Sequence, residues 1–252
     1  MSTESYTYND FLFAQLYDQI IEQLGRSNSK AGLEFIPQCA ALFGDSVLEM
    51  GCGTGLNLLP LAEMGCSIVG LDNSAAMLKI LEQKLSQVKP EVAQRVELVE
   101  GDMVNPPIHQ KKFRLIIFAQ GQFLHLQTDA QRLACLKSTH NLLTDDGVVL
   151  ICNPSFTEVE TWDEWREQPG QDNEEWLLLT RCGWKGNTFE EEFKLVSKSQ
   201  RQQEHLFHWC LHPIQDSEMQ QLIQQAGLRS MPIPSDLPTT FHPKFKRCAF
   251  RK

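Results

Sequence analysis

Glu49, Asp72 and Asp102 each lie at the end of a short apolar run, in SVLEM, SIVGLD and RVELVEGD. Between the first two runs stands GCGTG, with glycine at positions 51, 53 and 55. Glycine weakens helices and strands, so three so close together mark a turn whose main chain must lie near something else. A phosphate loop would need Gly-Lys-Ser/Thr after the turn, and the chain has none. A dinucleotide fingerprint, GxGxxG, would need its third glycine where Leu56 stands. The spacing therefore weakens the phosphate reading and leaves that of a nucleoside. Asp72 follows the glycines at roughly the twenty-residue separation expected of a ribose-binding acid. An ionised carboxylate suits ribose hydroxyls because charge-assisted O–H···O⁻ bonds are short and strong. At the same rim Asp102 would accept from the exocyclic amine of adenine.

The segments EMGCGTG, LDNS and EGDM resemble the cofactor motifs of class I S-adenosylmethionine-dependent methyltransferases. The resemblance covers roughly residues 40 to 155 and extends through DSEMQQLIQQAGL to the last helix. It implies a Rossmann-like three-layer α/β/α sandwich whose seven-stranded, mostly parallel sheet has an antiparallel last strand, with CAFRK as its candidate. It also implies S-adenosylmethionine as cofactor. Gly51, Gly53 and Gly55, with Cys52 among them, would let the main chain approach the methionine part. Glu49 would orient the loop and the amino group. Asp72, followed by Asn73, would take the ribose hydroxyls, and Asp102 with Met103 would border the adenine. Ala119 and Gln120 would line the methionine side. One departure is Arg114, where the family often has an acid early in the fourth strand; the change bears on local packing more than on the cofactor.

Methyl transfer from a sulfonium is an in-line displacement, and holding donor and acceptor in line can supply about 7–11 kcal/mol of the barrier. An acceptor that arrives protonated also needs a base, for which histidine is the usual choice. AQGQFLHLQ passes the expected reaction centre, with Gln122 and His125 as residues facing the acceptor and His125 as the base candidate. The alternative for His125 is a hydrogen bond to backbone under a lid. Tyr17, in QLYD, is either a substrate- and cofactor-facing residue of an amino-terminal cover or a core aromatic. His208, Cys210 and His212 would share one face of a strand, but no fourth ligand is apparent and no metal is expected. Trp162, Trp165, Trp176 and Trp184 could cage a cationic amine or simply form the core of a lid. The leading acceptor is a small molecule; a protein acceptor and a non-catalytic cofactor-binding protein are the alternatives.

These residues need a scaffold, and the middle of the chain supplies one. SVLEM, SIVGLD, RVELVEGD, FRLIIFAQ and GVVLICN read as strands, separated by helical patterns. One helix spans Leu56 to Met64, with Pro60 near its first turn. Ser74 caps AAMLKILEQKLSQVK, whose Met77, Leu78, Leu81 and Leu85 form a stripe. Thr128 and Gln131 form a capping box, and Asp145-Asp146-Gly147 turns the chain into the fifth strand. Such alternation predicts βαβ units and a parallel sheet, with ligands at the carboxyl ends of the strands. Residues 1 to about 44 read as a helical cover with an apolar face of Phe11, Leu12, Leu16, Ile20, Ile21 and Leu24. Residues 153 to 213 read as a lid inserted after the fifth strand, in which TFEEEFKLVSKSQ and RQQEHLFHWCLH are antiparallel strands. Gly227 is expected to cap the helix of DSEMQQLIQQAGL. Residues 1–252 are expected to form a single domain.

The chain has 252 residues and a formal net charge of −9. That balance argues against a broad phosphate-facing surface, so no nucleic-acid partner is expected. FHPKFKRCAFRK is basic and reads as a solvated terminal strand. No apolar run approaches membrane-spanning length and the start does not read as a signal peptide, so no membrane partner is expected. The eight cysteines are scattered without a CxxC pair, which reads as reduced thiols and a cytoplasmic location.

Overall fold

The computed structural model describes residues 7–25, 30–156, 161–168, 175–200, 202–233 and 245–252. Parts of the expected amino-terminal cover (1–6, 26–29), of the expected insertion (157–160, 169–174, 201) and of the basic segment (241–244) fall outside them.

Each of the five apolar runs forms a strand: β1 (Ser46–Met50), β2 (Ser67–Asp72), β3 (Val96–Glu100), β4 (Phe113–Phe118) and β5 (Leu143–Pro154). They pair in parallel in the order β3–β2–β1–β4–β5. The central strands are covered on both faces, which explains their nearly continuous apolar sequences. β10 (Arg229–Met231) and β11 (Phe245–Arg251) complete a seven-stranded sheet, with β11 antiparallel to both β5 and β10. The antiparallel last strand thus falls where CAFRK placed it. It is not a solvated edge, however: β11 lies between two strands and buries Ala249 and Phe250. The Asp145–Gly147 turn is also corrected. β5 already begins at Leu143, and the acidic segment is absorbed where the register against β4 shifts between Phe113 and Leu115.

The helices follow their local signals. α3 (Leu58–Glu63) starts two residues later than expected, because Gly55, Leu56 and Asn57 belong to the turn, and Pro60 falls in its first turn. α4 (Ala75–Leu85) is capped by Ser74, whose Oγ accepts from Met77 N–H at 3.1 Å. It ends before Lys89, since Pro90 at the start of the short α5 (Pro90–Ala93) holds Lys89 extended. α6 (Asp129–Leu142) has the Thr128–Gln131 capping box. α7 (Asp216–Gln225) is followed by Gly227 at φ +79°, as a left-handed helix cap requires.

Before the sheet come a short 3-10 turn (Thr7–Asn9), α1 (Phe11–Gln23) and α2 (Lys30–Phe43). Asp10 caps α1 by accepting from Phe13 N–H at 3.0 Å. The buried face is then Phe13, Ala14, Ile20 and Ile21, with Leu12, Leu16 and Leu24 half-buried. Phe11 departs from the expected face: its ring is exposed, under the Lys79 ammonium at 5.0 Å.

Between β5 and α7 lies a second sheet, β6 (Trp162–Glu167), β7 (Trp176–Lys185), β8 (Thr188–Ser197) and β9 (Glu204–Leu211), antiparallel throughout. Its inner face offers Leu178, Phe193, Leu195, Phe207 and Trp209 to Phe13 and Ile20 of α1 and Met77 of α4. The edge of β9 is not left bare. Thr7 Oγ1 accepts from His208 N–H at 2.8 Å and donates to the His208 carbonyl, while His212 N–H donates to the Leu124 carbonyl at 2.8 Å. Among the described residues no helix is long and apolar enough to cross a membrane.

Phe193 is fully buried where the second sheet meets α1. Phe193→Ala should lower the unfolding free energy by about 3–5 kcal/mol, read as a lower urea midpoint by circular dichroism.

Candidate functional site

Strand order reverses between β1 and β4, and the loops beyond their carboxyl ends open a cleft there. The glycine loop forms one wall. Gly51 and Cys52 both donate to the Leu71 carbonyl, at 2.7 and 3.0 Å, folding the loop across the end of β2. Asp72 then clamps it: Oδ2 accepts from Gly53 N–H at 2.8 Å and Oδ1 from Ser74 N–H at 2.9 Å. Burial pushes the Asp72 pKa up, against the pull of these backbone donors.

The three glycines have different surroundings. Around Gly53 nothing would lie within 4 Å of a Cβ, and its face is open to the cavity. A Cβ on Gly51 would meet the Gln122 side chain at 3.0 Å. One on Gly55 would come within 2.4 Å of Leu81 Cδ1, so Gly55 lets α4 approach the loop. Outside the loop, Thr54 Oγ1 donates to Asp18 Oδ1 at 2.5 Å, and Lys84 bridges Asp18 and the Thr54 carbonyl.

Glu49 is buried beneath this loop. Its Oε1 accepts from Asn57 Nδ2 at 3.0 Å, and its Oε2 has no hydrogen-bond partner among the described residues. Burial raises its pKa to about 8, opposed by the Asn57 hydrogen bond and assisted by the charge of Asp72. Gln120, just past β4, has the left-handed φ of +50°, uncommon for a residue with a side chain, and its Nε2 also lacks a partner.

The cavity holds about 240 Å³. Of the residues read from sequence, Gly51, Gly53, Asp72, Asn73, Asp102 and Met103 line it, as do Tyr17, Gln122 and His125. Glu49, Cys52, Gly55, Ala119 and Gln120 lie behind the lining. The Cys52 thiol faces Gly70 in the core, and burial holds its pKa well up. His125, in a 3-10 turn (Gln122–His125), has its pKa lowered to about 4, first by burial and then by His212.

The opposite wall was missed from sequence. Tyr8 lies parallel to the Trp209 indole at 5.8 Å and edge-on to His125 at 5.5 Å. The Tyr8 carbonyl accepts from Ser74 Oγ at 2.6 Å, so the residue that caps α4 also ties down this strap. Trp209 Nε1 donates to the buried carboxylate of Glu191 at 3.1 Å. Arg132, buried on α6, reaches the His212 carbonyl at 2.7 Å and Asp129 at 2.9 Å, steadying the end of β9. An arginine in a helical stripe was the available signal for it.

The tryptophans and the His208–Cys210–His212 strand take other partners. Trp162, Trp165, Trp176 and Trp184 are spread over the second sheet and none lines the cavity, so they make no cage around it. Trp165 lies under Arg181 and Lys194, and Trp184 meets Phe156 and Phe189 edge-on. His208 turns to Glu190 (3.3 Å), and Cys210 meets His212 at 3.7 Å; no metal-binding cluster occurs among the described residues. Arg114 is accommodated, donating to the Phe43 carbonyl at 3.1 Å and pairing with Asp146 at 3.2 Å.

Residues 47–147 match the family model described as a methyltransferase domain. That match spans the glycine loop, Asp72 and Asp102, so the cofactor-binding part of the chain is similar to the domains of this methyltransferase family. Over 110 residues it is 30% identical to the cypemycin N-terminal methyltransferase of a Streptomyces species, covering 44% of this chain and 42% of that protein. The chain thus spans under half the length of that curated relative. The CcbJ methyltransferase of Streptomyces caelestis superposes with a TM-score of 0.82 at 20% identity, over 98% of each chain. CalS10 of Micromonospora echinaspora, an amino pentose methyltransferase solved with S-adenosylmethionine bound, superposes at 0.71 with 18% identity, over 94% of this chain and 97% of its own. At those identities the two structures speak for the fold.

The site fits the family's cofactor, S-adenosylmethionine. An open glycine face, two lining carboxylates and two orphaned polar atoms behind them match a molecule with ribose hydroxyls, an ammonium and a carboxylate. Asp72→Asn should weaken binding of S-adenosylhomocysteine about 10- to 100-fold by calorimetry, since hydrogen bonds to a charged group are worth about 1.5–3 kcal/mol each.

Proposed function

We propose that this protein transfers the methyl group of S-adenosylmethionine to an amine nitrogen of an uncharged, hydroxyl-bearing small molecule. The observation that carries this reading is the place of His125, an imidazole on the cavity wall beside Tyr8 and His212, where burial and His212 push its pKa down to about 4. A hydroxyl acceptor must lose its proton as it reacts, and so weak a base gives little help. A neutral amine already presents its lone pair. The printed names of the relatives agree in kind: one acts at a peptide amino terminus, another on an amino pentose. Among the described lining residues there is no lysine or arginine to pair with an acceptor carboxylate, which disfavours free amino acids.

When bound, the cofactor supplies an electrophilic methyl group on a sulfonium that becomes a neutral thioether. The chain's own work is positioning. Asp72 fixes the ribose end, Asp102 and Met103 border the adenine, and Gly53 leaves room for close approach. Gln122, lying against Gly51, meets both cofactor and acceptor. The Tyr8–Trp209 face gives the acceptor a flat apolar wall. Neutral His125 accepts a hydrogen bond from the acceptor's N–H, turning its lone pair toward the methyl. The second sheet and the amino-terminal helices act as the lid that keeps water from this half.

Incubating the protein with methyl-labelled cofactor and a panel of amino sugars, simple amines, amino acids, peptides and amine-free sugars tests the reading. N-methylated product from uncharged hydroxylated amines is expected. Label found only on oxygen, or only on peptides, rejects it. His125→Asn should lower turnover about 10- to 100-fold with unchanged cofactor affinity. Because a group with its pKa near 4 is already neutral, the pH–rate profiles of wild type and variant should run parallel from pH 6 to 9.

A further inference from the structure

Among the described residues, Glu49 Oε2 and Gln120 Nε2 are buried without hydrogen-bond partners. They stand at the ends of adjacent parallel strands: Glu49 is in register with Ile117, and Gln120 lies three residues beyond. One is an acid and the other a donor, which suits an ammonium and a carboxylate carried on the same carbon. An unpaired charged oxygen under a closed loop is costly, and a protonated carboxyl there costs far less.

We propose that Glu49 stands as the neutral acid in the free protein and gives up its proton when the cofactor's ammonium arrives beside it, so that binding releases about one proton to solvent near neutral pH. This rests on the cofactor reading above. The ammonium keeps its own protons; the proton lost is that of the Glu49 carboxyl, and the new ion pair forms between Glu49 and the ammonium. Gln120 Nε2 donates to the ligand's carboxylate.

The surroundings favour this assignment. From β2, Asp72 raises the cost of a second negative charge, and the Cys52 thiol in the loop is itself held protonated. From α3, Asn57 offers one neutral donor. The nearest cation on α4, Lys84, is engaged with Asp18 of α1 and the Thr54 carbonyl outside the loop. With its folded pKa raised to about 8, Glu49 is protonated at pH 7 in the free protein. Affinity should therefore rise with pH up to about 8 and then level off. The free protein should lose stability over the same interval, because an acid held neutral by the fold favours folding less as pH rises through its folded pKa.

Calorimetry at pH 7 in phosphate and in Tris, which differ in ionisation enthalpy, counts the protons. S-adenosylhomocysteine should release between about half and one proton per site. 5′-Methylthioadenosine, which has the nucleoside and thioether without the amino acid, should bind and release none. In wild type, the Kd for S-adenosylhomocysteine should tighten several-fold between pH 6 and 7, and Glu49→Gln should abolish the proton release. Binding whose heat is independent of buffer overturns the proposal while leaving cofactor binding intact, as does equal release by both ligands. Absence of any binding to folded protein overturns the cofactor reading itself.

Discussion

The site depends on the Asp72 carboxylate being held where two backbone segments must meet. One oxygen fixes Gly53 in the loop after β1, and the other fixes Ser74 at the start of α4. Ser74 in turn caps α4 and holds the carbonyl of Tyr8. A single charged group at the end of β2 therefore orders the glycine loop, the following helix and, through it, the amino-terminal strap. The desolvation that such a position costs is offset by directed N–H donors. The arrangement leaves Gly53 open to the cavity while Gly55 is pressed against Leu81. Of three similar glycines, one makes room for a ligand and another for the helix behind it.

The cavity is chemically divided. Its floor gathers acids: Asp72 and Asp102 on the lining, Glu49 beneath it. The far side is built from Tyr8, Trp209, Gln122 and His125, uncharged at neutral pH. A ligand with positive charge and ribose hydroxyls is drawn to the floor, and one with polar but uncharged groups fits the far side. The division follows from architecture. The acids come from the ends of parallel strands, where loops naturally expose them, whereas the far side joins the amino-terminal 3-10 turn, the 3-10 turn after β4 and one strand of the second sheet.

Much of the first half could be read in the sequence because its signals are local. Apolar runs gave the five parallel strands, Ser74 and Thr128 fixed two helix starts, and Gly227 fixed an end. Errors arose where a local signal met tertiary demand. Asp145-Asp146-Gly147 reads as a turn, yet β4 draws the segment into β5 with a shifted register. The basic carboxyl-terminal segment reads as solvated, yet it pairs between β5 and β10 and buries Ala249 and Phe250. On the far side Gln122 and His125 were legible, but Tyr8 and Trp209 were not, for a different reason. Thr7 meets His208 across 201 residues, and neither has neighbours in sequence that announce the contact. The four tryptophans drew attention by abundance, but the indole on the cavity is the fifth, Trp209, selected by the face of β9 on which it falls.

The charge division also bears on how a proton can be handled during transfer. A half-buried imidazole against Tyr8, with His212 beside it, is kept neutral because its cation would lose hydration and be repelled by His212. Such a group can orient an N–H but cannot hold a proton taken from an ammonium of ordinary basicity. On the proposed amine reading, deprotonation of the acceptor would therefore precede its entry, since the described residues on that side offer an ammonium no carboxylate. Amines whose basicity is reduced by neighbouring hydroxyl or acetal oxygens offer more free base at neutral pH than simple alkylamines. On the proposed amine reading, the uncharged wall would favour such acceptors through their protonation state.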